Sequence, residues 1–226
     1  MDGNGRWARR RGFERFLGHR KGTQATIDSV EVGVNLKLEH LTLYVFSSEN
    51  WNRPASEVGY LMELLVEMVD KEMADLMEKN VRLKVIGNLA RLPEAPRKKL
   101  ENAIEATSHN TGMQLNLAIS YGGRQEIVDA CRKISRQVAA GELKPEAIDE
   151  AVFAKNLYLG GAPDPDLVIR TGGEFRLSNY LLWQAAYSEF YVSDTLWPDW
   201  TKEEFLKAIE FYNARERRFG KVGQVL

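Results

Sequence analysis

The 226-residue sequence predicts a single α/β domain over residues 1–226, with a central, mostly parallel sheet flanked by helices. Two observations lead to this prediction. Apolar runs rich in β-branched residues recur along the chain, and helical patterns separate them, so the repeating unit is strand, loop and helix. Neither a shift in composition nor an internal repeat divides the chain. This alternation is typical of helices packed around a parallel sheet.

Each predicted strand is short and closes at a polar or glycine-rich segment. The runs are LTLYVF at 41–46, VRLKVIG at 81–87, MQLNLAIS at 113–120, PDLVIR at 165–170 and SEFYV at 188–192. The loops SSEN, YGGR and TGGE follow the first, third and fourth of these runs. Ligands bind beyond the carboxyl ends of parallel strands, so we expect a binding site where these loops meet.

The segment 57–79 predicts a long helix with a wide apolar surface. Its leucine, valine and methionine residues extend well beyond one helical stripe. Such a helix is either buried on two sides or forms a wall of an apolar tunnel, which methionines would line adaptably. The pattern leaves both interpretations open.

The net charge of −1 conceals a strong asymmetry along the chain. Residues 1–22 contain seven arginines and lysines against two acids, whereas residues 57–78 contain seven acids against one lysine. The first segment suits an anionic ligand, and the second is most simply a solvated helix face.

The composition also excludes several classes of protein. Cys131 is the only cysteine, so no internal disulfide can form, and the three histidines lack the spacing of zinc ligands. No apolar stretch is long enough to cross a bilayer, and the basic residues lack an aromatic–basic stripe for nucleic acid. We therefore expect a soluble, cytoplasmic protein that does not bind nucleic acid.

The first candidate site is the loop Asp2-Gly3-Asn4-Gly5-Arg6-Trp7. Its glycines allow backbone N–H groups to approach an anion at the start of a helix, and Arg6, Arg15 and His19 can add positive charge. Asp2 would repel a phosphate unless a cation stood between them, which suggests Mg²⁺. The alternative is a glycine turn with solvated arginines, and the loop alone does not decide between them.

The second candidate site is the loop from Arg170 to Asn179, RTGGEFRLSN. Arg170, Arg176 and Ser178 surround a double glycine at the end of a predicted strand, and guanidinium groups match phosphate oxygens. The alternative is a strand-end turn with a surface ion pair. Two anion sites on one sheet indicate a reaction between two phosphorylated substrates.

With both loops considered, the chain resembles the cis-prenyltransferase family that includes bacterial undecaprenyl diphosphate synthases. The matching stretches follow one another in family order: MDGNGRWA, GHRKG, LTLYVFSSENWNRP, LNLAISYGGR, PDLVIRTGGEFRLSNYLLWQ, SEFYVSDTLWPD and RERRFG. The DDxxD motif of trans-prenyl synthases is absent. The resemblance implies an apolar tunnel for a growing prenyl chain and condensation of isopentenyl diphosphate onto an allylic diphosphate, with farnesyl diphosphate as the expected starter.

The resemblance also implies a role for individual residues. Asp2 and Asn50 would be catalytic, and Asp2 and Glu189 would hold Mg²⁺. The allylic diphosphate would be bound by Gly3, Asn4, Gly5, Arg6, Trp7, Arg15, His19, Trp51 and Arg53. Isopentenyl diphosphate would be bound by Arg170, Arg176 and Ser178, together with Arg218 and Gly220, which match an R-x-G motif that completes the neighbouring subunit's site in a homodimer.

Further expectations follow from the same resemblance. The product would be a long-chain cis-polyprenyl diphosphate, such as the undecaprenyl carrier precursor used in cell-wall synthesis, and its release would involve peripheral contact with the inner face of the membrane. Met113 is a candidate for the tunnel floor. The alternative function is a non-catalytic partner subunit of a prenyltransferase.

Two departures from the family pattern are visible. Phe175 stands where relatives often carry a polar residue such as histidine, so a side-chain hydrogen bond is lost there. Relatives also carry an apolar strand directly before the D-G-N-G loop. We therefore expect the family's first strand to lie outside this sequence, upstream of Asp2.

Overall fold

Five parallel strands form the centre of the computed structural model, which describes residues 1–215. Their bounds are His40–Ser47 (β1), Arg82–Ile86 (β2), Gln114–Tyr121 (β3), Leu167–Thr171 (β4) and Glu189–Ser193 (β5). All five predicted strands are therefore confirmed, with small differences at their ends. β-Branched and aromatic residues are common in these strands, because their side chains pack well on a pleated, half-buried surface.

Seven helices within residues 1–215 connect and flank these strands. They are Asn4–Arg10 (α1), Arg15–Asn35 (α2), Ala55–Glu78 (α3), Glu94–Ala106 (α4), Gly123–Ala139 (α5), Glu150–Asn156 (α6) and Lys202–Asn213 (α7). Short 3₁₀ turns occupy Ser48–Asn52, Leu89–Arg91, Pro145–Ala147 and Trp197–Asp199. The helix predicted at 57–79 is α3, which begins two residues earlier than expected. None of these helices is long and apolar enough to cross a bilayer.

The strands form two hydrogen-bonded groups instead of one continuous sheet within the described residues. The larger group has the order β1-β3-β2, and the smaller contains β4 and β5. His40 and Arg82 both lie opposite Gln114, while Thr171 lies opposite Ser193. Because every pair is parallel, the carboxyl ends in each group lie at one edge, where the candidate loops begin.

Strand β1 is irregular just before its loop. Tyr44 lies opposite Ala118 and Phe46 opposite Ile119, so Val45 is an extra residue in the ladder. A bulge of this kind bends the strand and redirects the side chains that follow it. Here it precedes the 3₁₀ turn Ser48–Asn52, which carries the predicted catalytic Asn50.

The main apolar core packs α3 and α4 against the β1-β3-β2 sheet. Strand β3 is the centre of this core, and its residues from Leu115 to Tyr121 are all buried. A second cluster joins α2 and α7 through Trp197, Trp200 and Phe205. The two clusters leave a large cavity between them, toward which the carboxyl ends of β1 and β4 lead.

Candidate active site

A cavity of about 1130 Å³ lies between α2, α3, β1 and β4. One end is polar and is lined by Asp2, Ser47 and Arg170, at the carboxyl ends of the strands. The other end reaches Leu38 and Leu76, near the amino ends. Pockets of this kind, mostly apolar with a few convergent polar groups, are typical of ligand sites.

Helix α3 forms one wall of this cavity, as the tunnel interpretation predicted. The residues it contributes are Leu61, Met62, Leu64, Leu65, Met68, Val69, Glu72, Asp75 and Leu76. At 1.5 Å per residue, the stretch from Leu61 to Leu76 spans about 22 Å. Several of the same residues also belong to the main core, so one stripe of α3 both packs in the core and lines the cavity.

Met113 is not among the residues that line the cavity. Its sulfur packs against α2 at Gly33, where an added Cβ would lie only 2.7 Å away. It is a buried core residue that contributes to the first apolar cluster. The structure therefore does not place Met113 at the cavity floor.

Asp2 is held in place by residues distant in sequence. Thr171, the last residue of β4, accepts a hydrogen bond from the Asp2 N–H and donates one to its carbonyl oxygen, both at 2.9 Å. The Trp197 N–H also donates to that carbonyl, at 2.9 Å. The Asp2 backbone is thus fixed against the carboxyl end of β4.

The Asp2 carboxylate lies between two guanidinium groups. Its Oδ2 accepts a hydrogen bond from Arg170 at 2.9 Å, and its Oδ1 lies 3.4 Å from Arg6. Partial burial opposes ionisation, but the Arg170 hydrogen bond and charge, with Arg6 and the Gly3 N–H, outweigh it and lower the pKa of Asp2. The group is therefore a carboxylate at neutral pH.

Residues from Gly3 to Arg6 line the polar end of the cavity as predicted, but only Gly3 precedes α1, and the other three form its first turn. Gly3 has a φ of 108°, and a Cβ there would lie 2.8 Å from a Leu196 methyl group, so only glycine fits. The Asn4 side chain is buried, and a Cβ on Gly22 would lie 2.5 Å from its oxygen. Asn4 therefore locks α1 against α2.

Arg15, Arg53 and the imidazole of His19 lie at the same end of the cavity. All three face the Glu57 carboxylate, at 3.5, 3.9 and 3.0 Å respectively. Burial, followed by the charge of Arg53, lowers the pKa of His19 to about 4, although Glu57 opposes the shift. His19 is therefore neutral at pH 7 and can offer a ring hydrogen bond to an anion.

Two predicted ligand residues point elsewhere. The Trp7 indole donates a hydrogen bond to Asp199 at 2.7 Å, and the Trp51 indole donates to Ser120 at 2.9 Å. Neither residue lines the main cavity; Trp51 instead borders a smaller groove beside α3. Their hydrogen bonds thus hold α1, which carries Arg6, and the 3₁₀ turn that precedes Arg53.

The second anion loop also reaches the polar end of the cavity. Arg170 donates through Nη1 to the Ser178 hydroxyl at 2.8 Å and to the Arg176 carbonyl, and through Nη2 to Asp2. Arg176 is more than half exposed and pairs with Glu174 at 2.5 Å. Three of the five predicted isopentenyl ligands therefore lie on this one loop, and Arg170 links the loop to Asp2.

Asn50 lines the cavity within the 3₁₀ turn that follows β1. Its Oδ1 accepts a hydrogen bond from the Ser47 N–H at 3.1 Å, which closes a capping box at the start of the turn. The amide is thereby fixed at the cavity wall, with its NH₂ group on the side opposite to this bond.

Asp2 fits a single carboxylate ligand for Mg²⁺, because that ion commonly binds one or two carboxylates together with phosphate oxygens. No cluster of three histidine, cysteine, aspartate or glutamate side chains suited to a metal occurs in residues 1–215. Glu189 lies opposite Leu167, at the start of β4, whereas Asp2 contacts Thr171 at its end. That separation is about 13 Å of strand, so one chain does not bring the two predicted metal ligands together.

Glu189 instead pairs with Arg215 at 3.1 Å. Arg218 and Gly220, the predicted R-x-G residues, lie outside the described residues.

Sequence reasoning missed the carboxylates that hold the cationic groups. Glu57 was assigned to a solvated helix face, yet it is largely buried and faces three site residues. Glu174 bridges the two anion loops by pairing with Arg6 at 3.0 Å and with Arg176. The sequence signal for Glu57 was its position one turn after Arg53, the spacing of a helical ion pair.

The fold and this site together define a class of protein that binds amphipathic anions. Two cationic anion sites meet at one carboxylate, at the polar end of a long apolar cavity in a parallel α/β fold. Such a site suits substrates with an anionic head and a hydrocarbon tail.

Comparison with known proteins gives the family. The family described as "Putative undecaprenyl diphosphate synthase" matches residues 1–220. An isoprenyl transferase of Heliobacterium mobile is 50% identical over 222 residues, which cover 98% of this chain and 85% of that protein. An isoprenyl transferase of Chlorobaculum tepidum is 49% identical over 226 residues, which cover 100% and 85%.

Two solved structures of related enzymes have a similar fold. The crystal structure of lavandulyl diphosphate synthase from Lavandula x intermedia, in complex with dimethylallyl diphosphate, gives a TM-score of 0.95 at 36% identity, covering 98% of this chain and 95% of that chain. A probable undecaprenyl diphosphate synthase from Campylobacter jejuni gives 0.79 at 39% identity, covering 89% and 93%. The chain therefore belongs to the undecaprenyl diphosphate synthase family of isoprenyl transferases.

Proposed function

We propose that this enzyme condenses isopentenyl diphosphate units onto an allylic diphosphate, with farnesyl diphosphate as starter, to make a long-chain cis-polyprenyl diphosphate. Undecaprenyl diphosphate, a lipid carrier precursor for cell-wall synthesis, is the proposed product. The observation that carries this proposal is the meeting of two cationic sites at Asp2, where the apolar cavity begins.

The first site would bind the allylic diphosphate. The free N–H groups of the first turn of α1, with the side chains of Arg6, Arg15, His19 and Arg53, would surround its phosphates. The similar structure of lavandulyl diphosphate synthase was solved with dimethylallyl diphosphate, an allylic diphosphate, which supports this assignment. The hydrocarbon tail would then enter the cavity along α3.

The second site would bind isopentenyl diphosphate and keep its diphosphate intact. Arg170, Arg176 and Ser178 would hold that diphosphate, so that the isopentenyl double bond faces C1 of the allylic substrate. Such alignment turns a bimolecular step into an effectively unimolecular one.

In the reaction, the C1–O bond of the allylic diphosphate breaks and the diphosphate leaves with the bonding electrons. The isopentenyl double bond forms the new C–C bond to C1, and C2 of the isopentenyl unit then loses a proton to the released diphosphate, which sets the cis double bond. The guanidinium and N–H groups around Asp2 stabilise the negative charge that develops on the leaving group. When bound, Mg²⁺ supplies further positive charge at that diphosphate, with Asp2 as its protein ligand.

Asn50 is proposed as a catalytic residue at the reacting centre. Its Oδ1 is occupied by the Ser47 N–H, so its NH₂ group remains to orient the isopentenyl unit. A homodimer is also proposed, in which Arg218 and Gly220 complete the neighbouring subunit's isopentenyl site.

The alternative is a non-catalytic partner subunit. Such a chain would have no need to keep Asp2 or the paired arginines of the second loop. Here Asp2, Arg170 and Ser178 are hydrogen-bonded into one cluster, which favours a catalytic subunit.

Incubation with radiolabelled isopentenyl diphosphate, farnesyl diphosphate and Mg²⁺, followed by sizing of the extracted lipids, tests the proposal. We expect label in a long-chain product, dependent on both substrates and abolished by chelation. Absence of any labelled lipid from the purified chain, with chain and substrates intact, would support the partner-subunit alternative.

A further inference from the structure

We propose that Asn179 is a positioning residue that fixes the isopentenyl diphosphate loop against the loop that carries Asn50. In this role it sets the register between the two substrates without contacting either reacting carbon. The inference rests on the proposed function, and it adds to it a residue to which no catalytic or binding role has been assigned above.

Asn179 joins the three loops that follow β1, β3 and β4. Its Nδ2 donates to Glu49 at 2.8 Å, and its Oδ1 accepts from the Arg124 N–H at 2.9 Å. Its carbonyl oxygen accepts from the Gly123 N–H at 2.7 Å. The bond to Glu49 links positions 130 residues apart, and Glu49 directly precedes Asn50.

The junction is closely packed as well as hydrogen-bonded. A Cβ on Gly122 would lie 2.5 Å from the Ser48 hydroxyl and 2.7 Å from Asn179 Nδ2. A Cβ on Gly123 would lie 2.8 Å from the Leu182 side chain. The β3 loop therefore fits between the other two loops only because it carries two glycines.

The backbone at this junction is strained. Ser178 and Asn179 have φ values of 49° and 64°, in the left-handed region. Asparagine tolerates that region, whereas serine rarely adopts it, and such strain persists only where the surroundings impose it. The three hydrogen bonds of Asn179 impose it here, and the result is a Ser178 hydroxyl held 2.8 Å from Arg170.

The first experiment compares Asn179→Ala with Asn80→Ala. Asn80 is a close structural match: its φ is 54°, its Oδ1 accepts from the Thr111 N–H at 2.9 Å, and its Nδ2 donates to the Thr111 hydroxyl at 3.0 Å. It lies just before β2, at the opposite edge of the sheet. A merely structural role for Asn179 predicts similar changes in both variants.

We expect similar losses of melting temperature in the two variants, but a kcat reduced roughly 10- to 100-fold only in Asn179→Ala, the scale of a misplaced reacting group. The KM for the allylic substrate should change little, because the first site keeps its ligands. A parental kcat in Asn179→Ala, or an equal fall in Asn80→Ala, would overturn the proposal.

The second experiment reverses the hydrogen bond to Glu49. Asn179→Asp keeps the acceptor for the Arg124 N–H but places a second carboxylate against Glu49, so kcat should fall. Glu49→Gln alone retains an acceptor for Asn179 and should be near parental. The double variant lets the Gln amide donate to the Asp carboxylate, and we expect it to recover most of the lost kcat.

Failure of this inference can be told apart from failure of the proposed function. An inactive parental enzyme would contradict the proposed function. The melting temperatures of the parent, Asn179→Asp, Glu49→Gln and the double variant would still show whether positions 49 and 179 are coupled. An active parent with additive effects of Asn179→Asp and Glu49→Gln on both kcat and melting temperature would contradict the inference alone.

Discussion

Three arginines of the site form ion pairs with carboxylates of the same chain. Arg6 pairs with Glu174, Arg53 with Glu57, and Arg170 with Asp2. All three arginines line the cavity, and the carboxylate paired with each is only partly exposed. Asp2 differs from the other two carboxylates because it contacts an arginine of each anion site, Arg6 and Arg170.

Asp2 should matter more for the chemical step than for substrate capture. N–H groups and arginines can hold a diphosphate without it, but in the proposed mechanism its loss would leave Mg²⁺ poorly placed against the leaving group. We expect Asp2→Ala to lower kcat roughly 10²- to 10³-fold, the scale of losing one preorganised charge stabiliser, with little change in farnesyl diphosphate binding. Steady-state kinetics in saturating Mg²⁺ and equilibrium binding measure the two quantities.

Arg176→Ala provides the contrasting variant, since Arg176 belongs to the second site. We expect it to raise the KM for isopentenyl diphosphate with a smaller effect on farnesyl diphosphate. A near-parental kcat for Asp2→Ala would show that this carboxylate is not the one that acts on the leaving group.

His19 should make stability depend on pH in the acid range. Its pKa falls from 6.5 to about 4 on folding, so between these values the unfolded chain binds the extra proton. The His19 contribution is complete above pH 6.5 and is lost as the pH falls toward 4, by roughly 3 kcal/mol at 1.36 kcal/mol per pKa unit. Urea unfolding of the parent and His19→Gln at several pH values should show the steeper acid loss in the parent; parallel curves would contradict this role.

At the scale of single residues, local pattern predicted much of the site. The glycine-rich loop and the Arg170–Ser178 loop were recognisable because their residue types suit anions. The partner of each cation was not, because Glu174 and Arg6 are brought together only by the fold. The orientations of Trp7 and Trp51 depend on contacts with Asp199 and Ser120, which no local pattern encodes.

At the scale of elements, α3 combines two tasks along one face. Leu65 and Val69 belong to the core and also line the cavity, whereas Val66 borders the smaller groove on another side of the helix. This division makes product length testable within a single helix.

Val69→Phe should shorten the product. The larger ring would fill the cavity two turns beyond Leu61, so the chain meets an obstruction before its full length. Val66→Phe is the matched control, since the same substitution three residues earlier adds its volume outside the cavity. Sizing the labelled lipids of both variants checks this, and equal distributions would contradict the α3 wall as the determinant of length; each substitution could cost about 1–3 kcal/mol of stability.

The elements themselves were the most predictable part of the fold. All five strands and α3 followed from periodicity and composition, since alternating or β-branched runs favour strands and long apolar stripes favour helices. The separation of β4 and β5 from the larger sheet was not predictable, because strand pairing depends on contacts distant in sequence. The Met113 assignment failed for a similar reason: Met113 lies just before β3, and its sulfur packs against α2 at Gly33.

At the scale of the whole molecule, the proposed homodimer predicts complementation between two inactive variants. Asp2→Ala removes a residue of one subunit's site, and Arg218→Ala removes a residue that this subunit lends to its neighbour. In a mixed dimer, one of the two sites would contain both parental residues. After co-refolding we expect about a quarter of parental activity from statistical mixing in a twofold dimer.

The measurement is activity after mixing, with each variant alone as its own control. Activity no higher than the sum of the two variants would contradict the shared site, and light scattering would show whether the chain is dimeric at all. Stabilisation by a partner alone would not restore activity, because each site would still lack one residue. Recovered activity would therefore indicate a site that the two subunits share.

The internal pairing of the arginines has a further consequence for which anions can bind. Each carboxylate is a competitor tethered beside the cation it occupies, at an effective concentration on the order of millimolar or more. A singly charged anion such as chloride gains little by displacing it, whereas a diphosphate brings several charges and can replace Glu57 at Arg15, His19 and Arg53 together. The site is thereby selective for multivalent anions. Monovalent anions in the surrounding solution would leave the internal ion pairs intact, and only a diphosphate would displace the carboxylates.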